Sequence, residues 1–406
     1  MCIILSLSPT LLLQAITVTK MSALLGDEYI SFVSFFTVTL AFSMSTFLNK
    51  GITLQKEYVI SLKPSELLPP DEVYTPKLVL PCNNIEGECP IWDTYRNILW
   101  WLDIEDRKLY SLNMQGDVEI VLLPERCGSF ALCESNTRLL LALESGFAFY
   151  YIDNGRLVRL YSGIYTQIQG TRPNDGRCDR QGRFVVGGYN EVDAFKDNWK
   201  NNSFVFNVKY NSFTGGITVR RMSLPSDRCT NSICFSLDGR RMFHCDSPSR
   251  EIRVYDYDRV KGDVGDSNVF AEIKERKVGK IKYHPIPDGS IVDSSGHVWN
   301  AEWDGLRLAM YRPSYHASLN SKGENRMETR GTLVAEMPMP VEKVTCATLA
   351  GPDLDWMYIT SCRGKETESG GLFVARVDHP GVPESRFCDV YEEEDEFDNW
   401  MGSGIY

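Results

Sequence analysis

The stretch TRPNDGRCDRQGRF, residues 171–184, sets Arg172, Asn174, Asp175 and Gly176 directly ahead of what reads as a strand. A surface turn uses Asn-Asp-Gly because these residues tolerate positive φ. Comparable polar residues stand ahead of other strand-like runs: Glu88 in IEGECPIW, Asn231 in CTNSICFSLD and Asp288 in IPDGSIVDSS. Each lies at the same place in its unit, shortly before the second strand. Two carboxylates and an amide, with no Cys or His among them, suit a hard cation such as Ca²⁺ or Mg²⁺, with waters or substrate in the open positions. Without a cation, clustered carboxylates repel and one takes up a proton. A lone Asp-Gly, as at Asp288-Gly289, is more often a turn than a ligand. The weight of the pattern comes from its recurrence.

The elements that must position these residues repeat along the chain. A turn with Gly, Asn or Asp leads into a short apolar strand, and a second strand ends near Tyr, Asn or Asp. Copies begin at Asn97 (NILWWLDI), Arg138 (RLLLALES), Gly182 (GRFVVGGYN), Gly239 (GRRMFHCD), Gly296 (GHVWNAEW) and Asp355 (DWMYITSC). Starts at intervals of roughly 40 to 60 residues fall in the range of propeller blades. The strands are rich in aromatic and β-branched residues, and no helical period separates them, which argues against βαβ units. Six copies imply an all-β fold, a six-bladed β-propeller, with a pair of β-sandwiches as the alternative. Rotation about the propeller axis would bring equivalent positions to one mouth of the channel.

The chain has 406 residues and a formal net charge of −11. No basic stripe is present, which argues against nucleic acid. The twelve cysteines include no C-x-x-C pair and no Cys/His cluster, which argues against a zinc ribbon. Buried free thiols and a disulfide framework both remain open. No G-x-S-x-G is present, which argues against a serine esterase. Residues Cys2 to Thr19 and Ile30 to Leu48 carry no charge. The second run has about the span of a bilayer-crossing helix. A signal anchor, an organelle presequence and an extension with no role in the fold are the competing readings, and Met21 is an alternative start. Lys50 to Pro70 reads as linker. The expected organisation is an N-terminal extension over 1–73, a propeller over 74–385 and an acidic tail over 386–406, in which EEEDEFD is a solvated run.

These motifs resemble the family of gluconolactonases, regucalcin (senescence marker protein) and luciferin-regenerating enzymes. The matching pieces are GECPIW, RPNDGRCDRQGRF, the Asn231 segment with FSLDGRRMF, PDGSIVDSSGHVWNAEWDGLRLAMYRP and PVEKVTCATLAGPDLDWMYITS. The resemblance runs from about Glu86 to Asp378 and implies that Glu88, Asn231 and Asp288 are metal ligands. It implies Arg172 and Asn174 as substrate contacts, Asp288 as the catalytic acid/base, and Glu191 as an acidic substrate contact whose register is off by one residue. One divalent cation is implied, Ca²⁺ first, with Zn²⁺, Mg²⁺ or Mn²⁺ as alternatives. Cys89 and Ser232 stand where the family has glycine. A cytoplasmic location follows from the resemblance; an organelle, secretory or membrane location follows if Ile30 to Leu48 acts as a targeting segment.

The implied reaction is hydrolysis of a sugar lactone, a small-molecule substrate. The cation would polarise the carbonyl, and Asp288 would take a proton from water and return it to the leaving oxygen. Two rivals need different chemistry: a calcium-binding propeller without turnover, and a protein-interaction propeller with a vestigial ring. Arg172 and Asn174 favour the enzyme, because a structural ion needs neither.

Overall fold

A computed structural model describes residues 51–390, apart from 166–169, 193–194, 197–202, 320–322 and 324. The two uncharged N-terminal runs and the EEEDEFD run lie outside the described residues. Among the described residues no helix is long and apolar enough to cross a membrane.

Six antiparallel sheets form the blades of a β-propeller. Their innermost strands are Gly87–Asp93, Cys127–Leu132, Thr171–Cys178, Thr230–Phe235, Ile286–Val292 and Val344–Ala350, for blades 1 to 6 in order. These six strands contact one another in a ring around the channel. The repeated runs seen in the sequence are the second strands, such as Ile98–Asp103 and Arg138–Leu143.

Apolar burial between neighbouring blades holds the ring together. One hydrophobic cluster lies at each of the six blade interfaces. Trp100 packs toward blade 2, while Leu99 and Trp101 pack toward blade 6. A strand squeezed on both faces needs a continuous apolar run, which is why LWWL and LLLAL lack the alternation of a half-exposed strand. Trp101 is fully buried, stacks on Tyr110 at 4.8 Å and donates its indole N–H to Asn84. Every described cysteine is a free thiol.

The expected domain boundaries move outward at both ends. Lys56–Ser61, expected as linker, pairs antiparallel with Asp117–Leu122 as the outermost strand of blade 1. Leu54 N–H donates to Gly155 O on blade 2 at 2.8 Å. Lys77–Leu80 completes blade 6 beside Leu372–Arg376, so a strand from before blade 1 closes the ring.

At the other end, residues expected to open a free tail pack on the propeller instead. The segment from Pro380 to Asp389 contacts the C-terminal ends of the innermost strands, the ends away from their bulges. Glu384 accepts from buried Arg177 at 2.5 Å, Cys388 N–H donates to Gly182 O, and Asp389 pairs with Arg138 at 2.6 Å. Arg386 pairs with Asp93 of blade 1. Only about 20 Å³ of void remains between this segment and Arg177, Cys234 and Ile291. Phe387 is 0% exposed in the cluster between blades 2 and 3. Phe387→Ala is therefore expected to destabilise the protein by about 3 kcal/mol, read as a lower midpoint in denaturant unfolding.

Candidate active site

Each innermost strand is irregular near its start. In blade 1 the register shifts between Glu88 and Ile91, in blade 3 between Pro173 and Gly176, in blade 4 between Asn231 and Cys234, and in blade 5 between Pro287 and Ser290. Two residues there oppose one on the neighbouring strand, which is a β-bulge, and a bulge re-aims side chains. Asn174 and Asp288 sit in their bulges; Glu88 and Asn231 immediately precede theirs. Blades far apart in sequence thus direct these residues to one mouth of the channel.

Their side chains line a cavity of about 400 Å³. Glu86, Glu88, Asn174, Asn231 and Asp288 form its polar wall, and Tyr189, Phe195, Ile286 and Trp303 its apolar one. Cys229, Ser247, His284 and Asp304 complete it. A relay of hydrogen bonds orders the polar wall. Arg172 donates to Asn174 Oδ1 at 2.7 Å, and Asn174 Nδ2 donates to Asn231 Oδ1 at 3.1 Å. Asn231 Nδ2 donates to Ser247 Oγ at 2.9 Å, which donates to Pro287 O at 2.8 Å. Both amides are thereby locked in orientation.

The carboxylates are crowded. Burial pushes Glu88 up to about 8, and the nearby charge of Asp175 adds to the shift. Burial raises Asp288 well above the ordinary carboxylate range, with Glu88, Asp175 and Glu86 contributing repulsion. Asp175 is also raised, by burial, although Arg177 and the Ile233 N–H oppose the shift. An all-oxygen donor set with its carboxylates pushed toward protonation is what a hard divalent cation relieves. The residues present fit such an ion.

A family profile described as SMP-30/Gluconolactonase/LRE-like region matches residues 86–363. The chain belongs to this family. L-arabinolactonase of Azospirillum brasilense is 32% identical over 320 residues, covering 77% of this chain and 95% of that protein. 6-Deoxy-6-sulfogluconolactonase of Pseudomonas putida is 28% identical over 325 residues, covering 77% and 99%. The crystal structure of regucalcin, a calcium-binding protein from Agrobacterium tumefaciens strain C58, superposes with a TM-score of 0.62 at 21% identity, covering 81% and 99%. It shares the fold.

Arg172 and Glu191, expected as substrate contacts, are both engaged in ion pairs with residues of other blades. Arg172 is 1% exposed and stands behind the cavity wall. Its guanidinium donates to both oxygens of Glu86 at 2.8 and 2.9 Å, to Pro173 O and to Asn174, and it lies over the Tyr189 ring. These bonds orient Asn174 and Glu86, and the remaining Nε lies 3.6 Å from Glu191 Oε1. Glu191 is gripped through both oxygens by Arg126 at 2.6 and 2.9 Å and does not line the cavity. Burial would raise its pKa, but Arg126 and Arg172 hold it below the ordinary value.

Other residues emerge only from the structure. Glu86 joins the polar wall, two positions before Glu88; that spacing was the one available signal. Asp175, readable as a turn residue, accepts the bulge amide of Ile233 on blade 4 at 2.7 Å. Cys89 and Ser232 have φ of 51° and 58°, so both glycine replacements sit in the left-handed region, at a cost of about 1 kcal/mol each. The glycine at 128 matters for a different reason. A Cβ there would lie 2.1 Å from Pro173 O, so blades 2 and 3 approach only without one.

A second cluster, Asp293, His297 and His379, brings candidate ligand atoms within 4.8 Å of one another. It follows the far end of the strand that carries Asp288, about 16 Å along the chain direction. Asp293 Oδ1 accepts the amides of Ser295 and His297, and Oδ2 accepts His297 Nδ1 and Trp299 Nε1. Four donors saturate this carboxylate. Asp179 closes the equivalent turn of blade 3 in the same way, through the amides of Gln181 and Arg183. Asp293 is a turn lock.

Proposed function

We propose that this protein hydrolyses sugar lactones, with one divalent cation held by Glu88, Asn231 and Asp288. The observation that carries the reading is the pair of carboxylates, Glu88 and Asp288, which line one cavity and are raised by burial and by the carboxylates around them. The lactonase names of the two relatives described above support the substrate class. Ca²⁺ suits the donor set best, because carboxylate and amide oxygens are its ordinary ligands.

When bound, the cation supplies Lewis-acid stabilisation of the oxyanion that develops as water adds to the lactone carbonyl. Asp288 is the group that moves protons. One carboxylate oxygen takes a proton from the attacking water and returns it to the ring oxygen as the ring C–O bond breaks. The product is the open hydroxy acid. Asn174 Oδ1, oriented by Arg172, keeps a lone pair for a sugar hydroxyl. Glu86, held by the same guanidinium, faces the cavity as a second acceptor. Tyr189, Phe195 and Trp303 give the apolar wall against which a sugar ring can lie, and they help exclude bulk water.

The test is a pH-stat assay on gluconolactone and arabinonolactone with and without chelator. Hydrolysis is expected only with a divalent cation present. Equal rates after chelation would remove the cation from the mechanism. Cation binding without hydrolysis of any sugar lactone would favour a cation-binding propeller without turnover.

A further inference from the structure

Ser232 is 0% exposed and holds a left-handed backbone, a combination that a Cβ penalises and that glycine would meet freely. Its side chain has a specific contact across the blades. The Ser232 hydroxyl donates to the backbone carbonyl of Asp288 at 2.6 Å. Ser232 lies on the innermost strand of blade 4 and Asp288 on that of blade 5.

The receiving carbonyl has few other partners. Asp288 and Gly289 form the bulge that opposes Ala301, so Asp288 falls outside the regular ladder. Its second donor is Asn300 Nδ2 at 2.9 Å. That one amide nitrogen is also shared with Ser232 Oγ and Ser290 Oγ, both at 3.0 Å, and with Gly289 O at 3.4 Å. Two N–H hydrogens divided among four acceptors fix none of them tightly. The Ser232 hydroxyl, with a single hydrogen, is the dedicated donor.

We propose that Ser232 is a positioning residue: its hydroxyl, backed by Asn300, fixes the Asp288 bulge so that the carboxylate faces the cavity beside Glu88. The proposal rests on the lactonase reading for its catalytic consequence. The strained backbone carries a side chain that reaches the Asp288 carbonyl itself, whereas Ser247, also on blade 4, reaches the preceding carbonyl of Pro287. A glycine would relax the backbone and release the bulge. Outer-shell partners of metal-site residues act in this way, by fixing the orientation of the group that does the chemistry.

The test uses the full chain with Ser232→Gly and Ser232→Ala. Ser232→Gly removes both the strain and the hydroxyl, and Ser232→Ala removes the hydroxyl alone. Amide hydrogen exchange over residues 287–292 reads the bulge directly, and it is expected to speed up about tenfold in both variants while the innermost strand of blade 2 stays unchanged. With gluconolactone and saturating Ca²⁺, kcat is expected to fall about tenfold at an unchanged KM. The melting temperature of Ser232→Gly should stay within a few degrees of the wild type. Wild-type exchange in either variant would overturn the proposal. A wild-type kcat alongside faster exchange would also overturn it, because the bulge would then move without consequence. If the wild type hydrolyses no lactone, the functional reading falls, and the exchange measurement alone still decides whether Ser232 holds Asp288. If Ser232→Gly does not fold, Ser232→Ala supplies the same comparison.

Discussion

Asp288→Asn is expected to lower kcat on a sugar lactone by about 10³-fold and, in cation-free buffer, to leave the melting temperature equal to or above the wild type. Loss of a general base alone costs about 10²- to 10⁴-fold, and the substitution also removes one anionic ligand. The stability sign follows from the surroundings. Asp288 is buried and faces Glu88, Asp175 and Glu86, all of which raise its pKa. An amide of the same shape removes that repulsion without leaving a cavity. The backbone carbonyl of Asp288 keeps its bonds from Ser232 and Asn300, so the bulge stays in place. Steady-state kinetics and calorimetry on the same sample read both quantities. A variant that loses activity and melts far below the wild type would point to a structural role for the carboxylate.

The second large effect is a pH-dependent stabilisation by cation. Glu88 is pushed up to about 8 and Asp288 is raised above the carboxylate range, against about 4 for an unfolded carboxylate. A folded-state pKa above the unfolded value contributes stability that is present below the unfolded value and is lost as pH rises through the folded one. The cation-free protein is therefore expected to lose stability steadily from about pH 5 to pH 8. A cation removes the repulsion that drives this loss, and it must displace the protons to bind. The apparent affinity for Ca²⁺ should tighten by roughly tenfold per pH unit for each proton displaced, and the Glu88 proton ceases to contribute above about pH 8. At a hundredfold excess over Kd, bound cation adds about 2.7 kcal/mol. Melting temperatures measured with and without Ca²⁺ should thus lie close together at pH 5 and diverge by pH 8. A cation-induced shift independent of pH would show that these carboxylates are not the ligands.

The blades were legible because a second strand buried on both faces must read as an unbroken apolar run, as in LWWL and LLLAL. The propeller then follows from the spacing of those runs. The ring of polar residues was legible through its constant offset from them, and Glu88, Asn174, Asn231 and Asp288 do meet at one cavity. The ion pairs of Arg172 and Glu191 show where such reasoning stops. Their partners, Glu86 and Arg126, belong to other blades, and ion pairing between blades leaves no local trace. The same holds for the left-handed conformations of Cys89 and Ser232. A bulge depends on the register against a neighbouring strand, so its φ cannot be read from the residues that carry it.

The ends of the propeller were harder for a different reason. Lys56–Ser61 is an edge strand, open to solvent on one side, and its charges hide its strand character. Arg386 to Asp389 holds one buried apolar anchor, Phe387, among polar residues, and its burial depends on a recess built by blades 2 and 3. Neither segment carries a periodicity of its own.

Everything functional here depends on one ion reaching Glu88, Asn231 and Asp288 together. Crystals soaked in Mn²⁺ and measured at the manganese absorption edge test this most directly. The account predicts a single strong anomalous peak in the 400 Å³ cavity, within direct coordination distance of a carboxylate oxygen of Glu88, Oδ1 of Asn231 and a carboxylate oxygen of Asp288. A map with no peak there, or with its only peak at the Asp293–His297–His379 cluster, would contradict it.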